Sequence, residues 1–361
     1  MSNPEDIFDG NVVTDERKKE LKKKVTPFHD YYSGKFMMDG ELDQPDYLVE
    51  DFIARQNLTN LSGPPGSAKT TLALLIAADN VSGNILNMKS KTFKTLFIDE
   101  ENGAYQTKYI FRRIMESCKL FLSDEQYESA INNVGFYCMT GFRMDEFWGN
   151  ELDNVISDMR NNNNCPDLII FDNVSRIFEG DSNTQEAAKM VHRVLKPLAI
   201  KYNIGILLLS HTRKGSPETL SDISGSGDFG AQVTIAYISK LVSSNDGVAS
   251  IWLRKVKNNL GVPIGDPYSF DIKGSKTDLT ITYEGLVSSV MRAKNNLTDQ
   301  IKTEVTTILS EHGMTWKGIM LHLINKGFNE GTSKATLNKM SGSKKSNKKM
   351  IEKDGELWIN S

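Results

Sequence analysis

Between about residue 46 and residue 290 the chain alternates short, unbroken apolar runs with stretches of helical periodicity. "NLTNLSG" (57–63) reads as a strand running into a glycine-bearing loop, and "TTLALLIAADNV" (70–81) behind it as a helix. "TLFID" (95–99) is predicted to be a strand, followed by the helical "YQTKYIFRRIMESC". "DLIIFD" (167–172) is a further strand, entered from the polar surface loop "NNNNCP". "QEAAKMVHRVLKPLAIKYN" (185–203) has helical spacing, and "IGILLLSH" (204–211) reads as a buried strand. Apolar strands separated by helices argue for an α/β class with a largely parallel sheet. Two hairpins follow, one turned at Asp246-Gly247 and one spanning 268–283.

The pattern changes on either side of this core. Residues 1–45 are polar and include the charge run "DERKKELKKK" (15–24), read as a solvated helix or tail. From residue 296 to 361, three helical segments with glycine stops lead through the basic linker "SGSKKSNKK" to a small hairpin with an Asp-Gly turn. That order is the outline of a winged helix-turn-helix. The expected organisation is a polar segment 1–45, an α/β domain 46–290 and a small C-terminal domain 296–361.

Composition changes this picture little. The 361 residues are 39% hydrophobic and 25% charged, with a net charge of −3, so any nucleic-acid contact must come from local basic patches. Cys118, Cys138 and Cys165 lie far apart without metal-ligand spacing, which suggests a reducing compartment and idle thiols. The N-terminus lacks a signal-peptide pattern, and no apolar run is long enough to span a bilayer. A cytoplasmic protein without membrane contact is expected.

Chemistry concentrates in "GPPGSAKTT" (63–71), a near match to the phosphate-binding pattern G-x-x-x-x-G-K-[ST]. Gly63, Pro64, Pro65, Gly66, Ser67, Ala68, Lys69, Thr70 and Thr71 would form a nucleotide cradle between a strand and a helix N-terminus. Lys69 would reach the β- and γ-phosphates of ATP, and Thr70 would ligate Mg²⁺. Ala68 replaces the usual last glycine. Alanine is compatible with helical φ/ψ, so it is expected to sit there without strain. Asp172, ending a buried strand about a hundred residues downstream, is the candidate second metal ligand. Acidic residues Glu100 and Glu101 follow an earlier strand in "LFIDEEN" (96–102).

With these acids the chain resembles the RecA-like ATPases, especially the plasmid RepA-type and DnaB-type ring helicases, over roughly residues 46–265. The resemblance is carried by the P-loop with its lead-in, by "FIDEEN", "LIIFDN" and "ILLLSHTRKG". It implies Glu101 as catalytic base, with Glu100 the lesser candidate, and His211 as a sensor of the γ-phosphate. The glycine- and serine-rich loop 212–230 would line a central pore and hold single-stranded DNA, with Arg213, Lys214 and Ser216 as contacts. At the hairpin end the family carries a K-x-R pair that reaches a neighbour's γ-phosphate. This chain has Lys255-x-Lys257 without the guanidinium, leaving Arg254 or Arg213 as alternatives. The resemblance further implies a homo-oligomer, a hexamer in the ring helicases, acting in DNA replication of a mobile element. A separate primase or initiator would then supply priming. Two other readings stay open: a RecA/KaiC-like ATPase that remodels nucleoprotein without unwinding, and an ATP-switched winged-helix initiator or regulator.

Overall fold

The computed structural model describes residues 44–85, 88–143, 145–177, 185–212, 219–223, 227–245, 247–311, 313–342, 351–354 and 357–360. The chain divides after Gln44, and Pro45–Ser361 carries the whole of the central sheet. Its strands in chain order are β1 (Leu58–Gly63), β2 (Thr95–Asp99), β3 (Val134–Cys138), β4 (Leu168–Asp172), β5 (Gly205–His211), β6 (Ile235–Asn245), β7 (Val248–Asn258), β8 (Tyr268–Gly274) and β9 (Leu279–Leu286). In space they run β9-β8-β7-β6-β1-β5-β4-β2-β3. The half from β6 to β3 is parallel throughout. The β6–β9 edge is an antiparallel meander grown onto it.

Helices cover both faces of the parallel half, which is why β4 and β5 read as continuous apolar runs. On one face α1 (Lys69–Ala78) and α2 (Ala104–Cys118) bury Leu72, Ile76, Ile114 and Met115 against Phe97, Ile170, Leu207 and Leu209. On the other, α4 (Glu146–Asn161) and α5 (Gln185–Tyr202) pack Leu152, Ile156, Val191 and Leu195 against Ile169, Phe171, Ile206 and Leu208. Between them in sequence, α3 (Asp124–Asn132) is entered through a capping box of Ser123 and Gln126.

The predicted α/β class with a mostly parallel sheet is the one observed. The apolar pattern assigns no elements between 119 and 166, and there the chain adds α3, β3 and α4. Strand β3 is the sheet edge, with alternating half-buried and exposed residues, so its apolar signal is weak. One short helix, α6 (Gly227–Gln232), precedes β6.

At the C-terminal end α7 runs unbroken from Val287 to Glu311, starting where β9 stops. The expected boundary at 290–296 thus falls inside one helix. α7, α8 (Trp316–Asn325), α9 (Glu330–Met340) and the hairpin β10 (Ile351–Asp354) and β11 (Leu357–Asn360) enclose a separate apolar cluster. It holds Ile301, Val305, Ile319, Leu323, Leu337 and Ile351, with the Trp316 and Trp358 rings 5.2 Å apart at its rim. The basic linker 343–350 lies outside the described residues. No helix among the described residues is long and apolar enough to cross a membrane.

Candidate nucleotide site

A parallel sheet with its helices on both faces gathers the C-terminal ends of its strands along one edge. Pairing puts Gly63 of β1 opposite His211 of β5, and Asp99 of β2 opposite Asp172 of β4. Strand β5 lies between β1 and β4, so His211 ends between the glycine loop and Asp172. Residues far apart in sequence are therefore brought to one crevice, the usual ligand position of open α/β sheets.

The loop 63–71 is shaped by two backbone demands. At Gly63 a Cβ would lie 2.2 Å from Ser67 Oγ and 2.6 Å from the Ser239 carbonyl oxygen, so no larger residue fits. Gly66 has φ +77°, a conformation that favours glycine. Ser67 N donates to Pro64 O at 3.2 Å, and the buried Ser239 hydroxyl donates to Ser67 O, tying the loop to β6. Helix α1 starts at Lys69 with no side-chain cap and no acid in its first turn. Its first N–H groups face the loop and suit an anion.

Ala68 departs from expectation. It is the residue before α1 and has φ 62° and ψ 23°, left-handed rather than helical. The turn from loop into helix needs that conformation, which is why glycine is the usual occupant. Alanine accepts a steric cost of about 1–2 kcal/mol there.

Lys69 is buried and its ammonium donates to Gly63 O at 2.9 Å and Pro64 O at 3.1 Å. Burial draws its pKa down, opposed by Glu101 and Asp172. The Thr70 hydroxyl donates to Asp172 Oδ2 at 2.7 Å. Asp172 Oδ1 is buried without a hydrogen-bond partner. Burial, with Glu101 and Asp99 nearby, lifts the Asp172 carboxyl to about 7 despite the Thr70 bond. A buried carboxylate oxygen with nothing to bind, next to a hydroxyl and below a phosphate cradle, fits a hard divalent cation that keeps phosphate and water ligands. Among the described residues no group of three or more His, Cys, Asp or Glu could form an all-protein metal cage.

The two glutamates separate. Glu100 is buried, and its carboxylate accepts from Thr140 N at 2.9 Å, Thr140 Oγ1 at 2.5 Å and Gly141 N at 3.1 Å. It anchors the segment after β3 and is spent there. Glu101 is partly exposed at the crevice, its Oε1 3.8 Å from His211 Nε2 and its Oε2 accepting from Asn173 Nδ2. Burial, then the nearby Lys69 charge, lowers the His211 pKa.

Two site residues carry no clear mark in the sequence. Asp99, fully buried, accepts from Glu101 N at 2.9 Å, from Asn102 N at 2.8 Å and from the Thr107 hydroxyl. It shapes the turn that presents Glu101, and the available signal is an aspartate two residues before that acid. Asn173 follows Asp172 and joins Glu101 to His211. The pattern alone marks it only as the absence of a second acid.

The trans-acting candidates sit as follows within their own chain. Lys255 is buried, its ammonium 5.8 Å from the centre of the Tyr237 ring, and burial lowers its pKa. Lys257 donates to Gly230 O at 3.1 Å and Ala231 O at 2.8 Å, which holds it on α6 of its own chain. Arg254 is half-buried on the opposite face of β7. Arg213, Lys214 and Ser216 lie outside the described residues.

Comparison with known proteins supplies a family. No curated protein sequence matches the chain significantly. Among solved structures the crystal structure of the RadB recombinase is similar, with 18% identity and a TM-score of 0.42 over 63% of this chain and 91% of that one. The AAA_25 family model, described as an AAA domain, matches residues 34–217. That span holds the glycine loop, Glu101, Asp172 and His211 and is half of the chain, so the protein belongs to the AAA_25 family of AAA domains.

Proposed function

We propose that this chain is a Mg²⁺-dependent, RecA-like ATP hydrolase that uses turnover to remodel nucleoprotein on single-stranded DNA. The observation that carries the reading is the joint placement, at one sheet edge, of the Lys69 loop, the Thr70–Asp172 contact and Glu101. ATP phosphates would lie along the loop 63–71, receiving N–H groups from the start of α1 and the Lys69 ammonium, which gives up its two carbonyl contacts to reach them. Thr70 and Asp172 would hold Mg²⁺, which when bound neutralises charge on the β- and γ-phosphates. Glu101 would orient the attacking water and take its proton.

Ring-helicase action is the competing reading. The enclosed Lys255, its ammonium turned onto the Tyr237 ring of its own sheet, supports the reading of remodelling without unwinding. The C-terminal helices and hairpin would serve as a winged-helix module for DNA or a protein partner, and self-association remains part of the proposal. The test is ATP hydrolysis with Mg²⁺, with and without an oligothymidine strand, beside unwinding of a forked duplex. Hydrolysis stimulated by the strand, lost in Lys69→Ala and without unwinding, is expected. Unwinding would restore the helicase, and absence of hydrolysis under every condition would overturn the ATPase reading.

A further inference from the structure

We infer that Asn173 is a positioning residue that locks Glu101 and His211 into one hydrogen-bonded unit and selects the tautomer of the histidine. The inference rests on the reading of Glu101 as the base. Asn173 is fully buried, directly after Asp172 at the end of β4. Its Oδ1 accepts from the Ser175 hydroxyl at 2.5 Å, while its Nδ2 donates to Glu101 Oε2 and stands 3.0 Å from His211 Nε2.

Donor and acceptor accounting on the Nε2 side of the ring then selects one arrangement, while His211 Nδ1 is buried without a hydrogen-bond partner. An ionised carboxylate only accepts, so the amide must turn its NH₂ toward Glu101, and the Ser175 bond holds the oxygen the other way. The same NH₂ meets His211 Nε2, which must therefore offer a lone pair. A proton on Nε2 would set two donors face to face. His211 is thus neutral, with its proton on Nδ1, for as long as Asn173 is in place. The charged or titratable groups around the ring are Lys69, Glu101 and Arg176. Lys69 and Arg176 disfavour the imidazolium, and Glu101 would favour it if the amide were absent. Asn173 consequently keeps the glutamate from being neutralised by a histidine ion pair 3.8 Å away. It leaves Glu101 Oε1 unclaimed by the amide.

The test is ¹⁵N-detected imidazole NMR of the full chain, nucleotide-free. The protein has five histidines, and the His211 signal is assigned by its loss in His211→Gln. Wild type is expected to show the Nδ1–H tautomer at neutral pH. Asn173→Ala should give an Nε2–H or mixed form with a raised titration midpoint, and the isosteric Asn173→Asp a larger rise. In parallel, kcat for ATP should fall about 10-fold or more in Asn173→Ala, with nucleotide affinity within about twofold of wild type. An unchanged tautomer and midpoint in Asn173→Ala, or an Nε2–H form in wild type, would overturn the inference. So would an equal loss of affinity and kcat, the mark of a merely structural role. Because the NMR arm needs no turnover, it separates failure of this inference from failure of the ATPase reading.

Discussion

Single residues set the shape of the glycine loop, and two of them can be tested by one atom each. Ala68→Gly removes a Cβ from a left-handed residue and should raise stability by about 0.5–1 kcal/mol, after the larger unfolded-state entropy of glycine is set against the relieved strain. Urea unfolding of nucleotide-free protein reads this directly, and a loss of stability would contradict the left-handed assignment. Gly63→Ala is the opposite case. Its new methyl would face the Ser239 carbonyl at 2.6 Å, backbone that cannot step aside. Nucleotide affinity should fall by at least about 10-fold, measured with a fluorescent ATP analogue, and melting should drop as well. Lys69 and Thr70 could be named from the loop pattern because their roles follow from spacing along one turn of backbone. The strain at Ala68 could not, because φ is decided by how the loop joins α1, and the residue type alone does not reveal that the turn forces alanine into the left-handed region.

At the scale of elements, the turn between β2 and α2 and the end of α1 carry separate predictions. Asp99 ties both ends of the β2–α2 turn, at Glu101 N, Asn102 N and the Thr107 hydroxyl. Asp99→Ala should lower kcat about 10- to 100-fold through displacement of Glu101, with nucleotide affinity nearly unchanged. An equal loss of both would place Asp99 in general folding instead. Helix α1 ends at Asp79, where burial raises the carboxyl pKa from 3.8 to about 6, with Ser82 opposing the shift. A carboxylate is also poorly placed at a helix C-terminus. The folded state binds this proton more tightly than the unfolded chain, so ν_N exceeds ν_U between about pH 4 and pH 6. Asp79 therefore costs stability progressively as pH rises through that window, and the cost is constant above it. Melting temperatures of Asp79→Asn across pH 4–8 should lose that slope and exceed wild type near pH 8. Identical slopes in both proteins would sink the assignment.

For the whole molecule the question is whether one chain contains its complete site. Lys255 lies inside the sheet and Lys257 is held by α6. Lys255→Met should therefore leave kcat within about threefold of wild type while preserving or raising stability, since it removes a buried ammonium that makes no salt bridge among the described residues and whose burial outweighs the attraction of Asp51. A fall of a hundredfold or more in kcat, rescued by mixing with an inactive Lys69→Ala subunit, would bring back a neighbour-completed site. The continuous helix α7 bears on the same scale. It begins at the end of β9 and contributes Ile301, Val305 and Leu309 to the C-terminal cluster. Truncation before residue 296 would cut that helix, so a shortened chain that keeps only the ATPase sheet should end before Val287.

The amino-acid pattern by itself determined the α/β class, the buried strands β1, β2, β4 and β5, and the loop with Lys69 and Thr70. Those features are local: a run of apolar residues covered on both faces, or a glycine turn opening a helix, leaves its mark on neighbouring positions. It also set Glu101, Asp172 and His211 in the order that a resemblance to RecA-like ATPases requires. The resemblance ranked Glu101 above Glu100, and the tertiary structure supplied the physical reason, because the two point apart and the segment after β3 claims Glu100. The enclosure of Lys255, the bridge made by Asn173 and the left-handed turn at Ala68 were decided there too. Each depends on strands brought side by side from distant parts of the chain, and no window of sequence carries that adjacency.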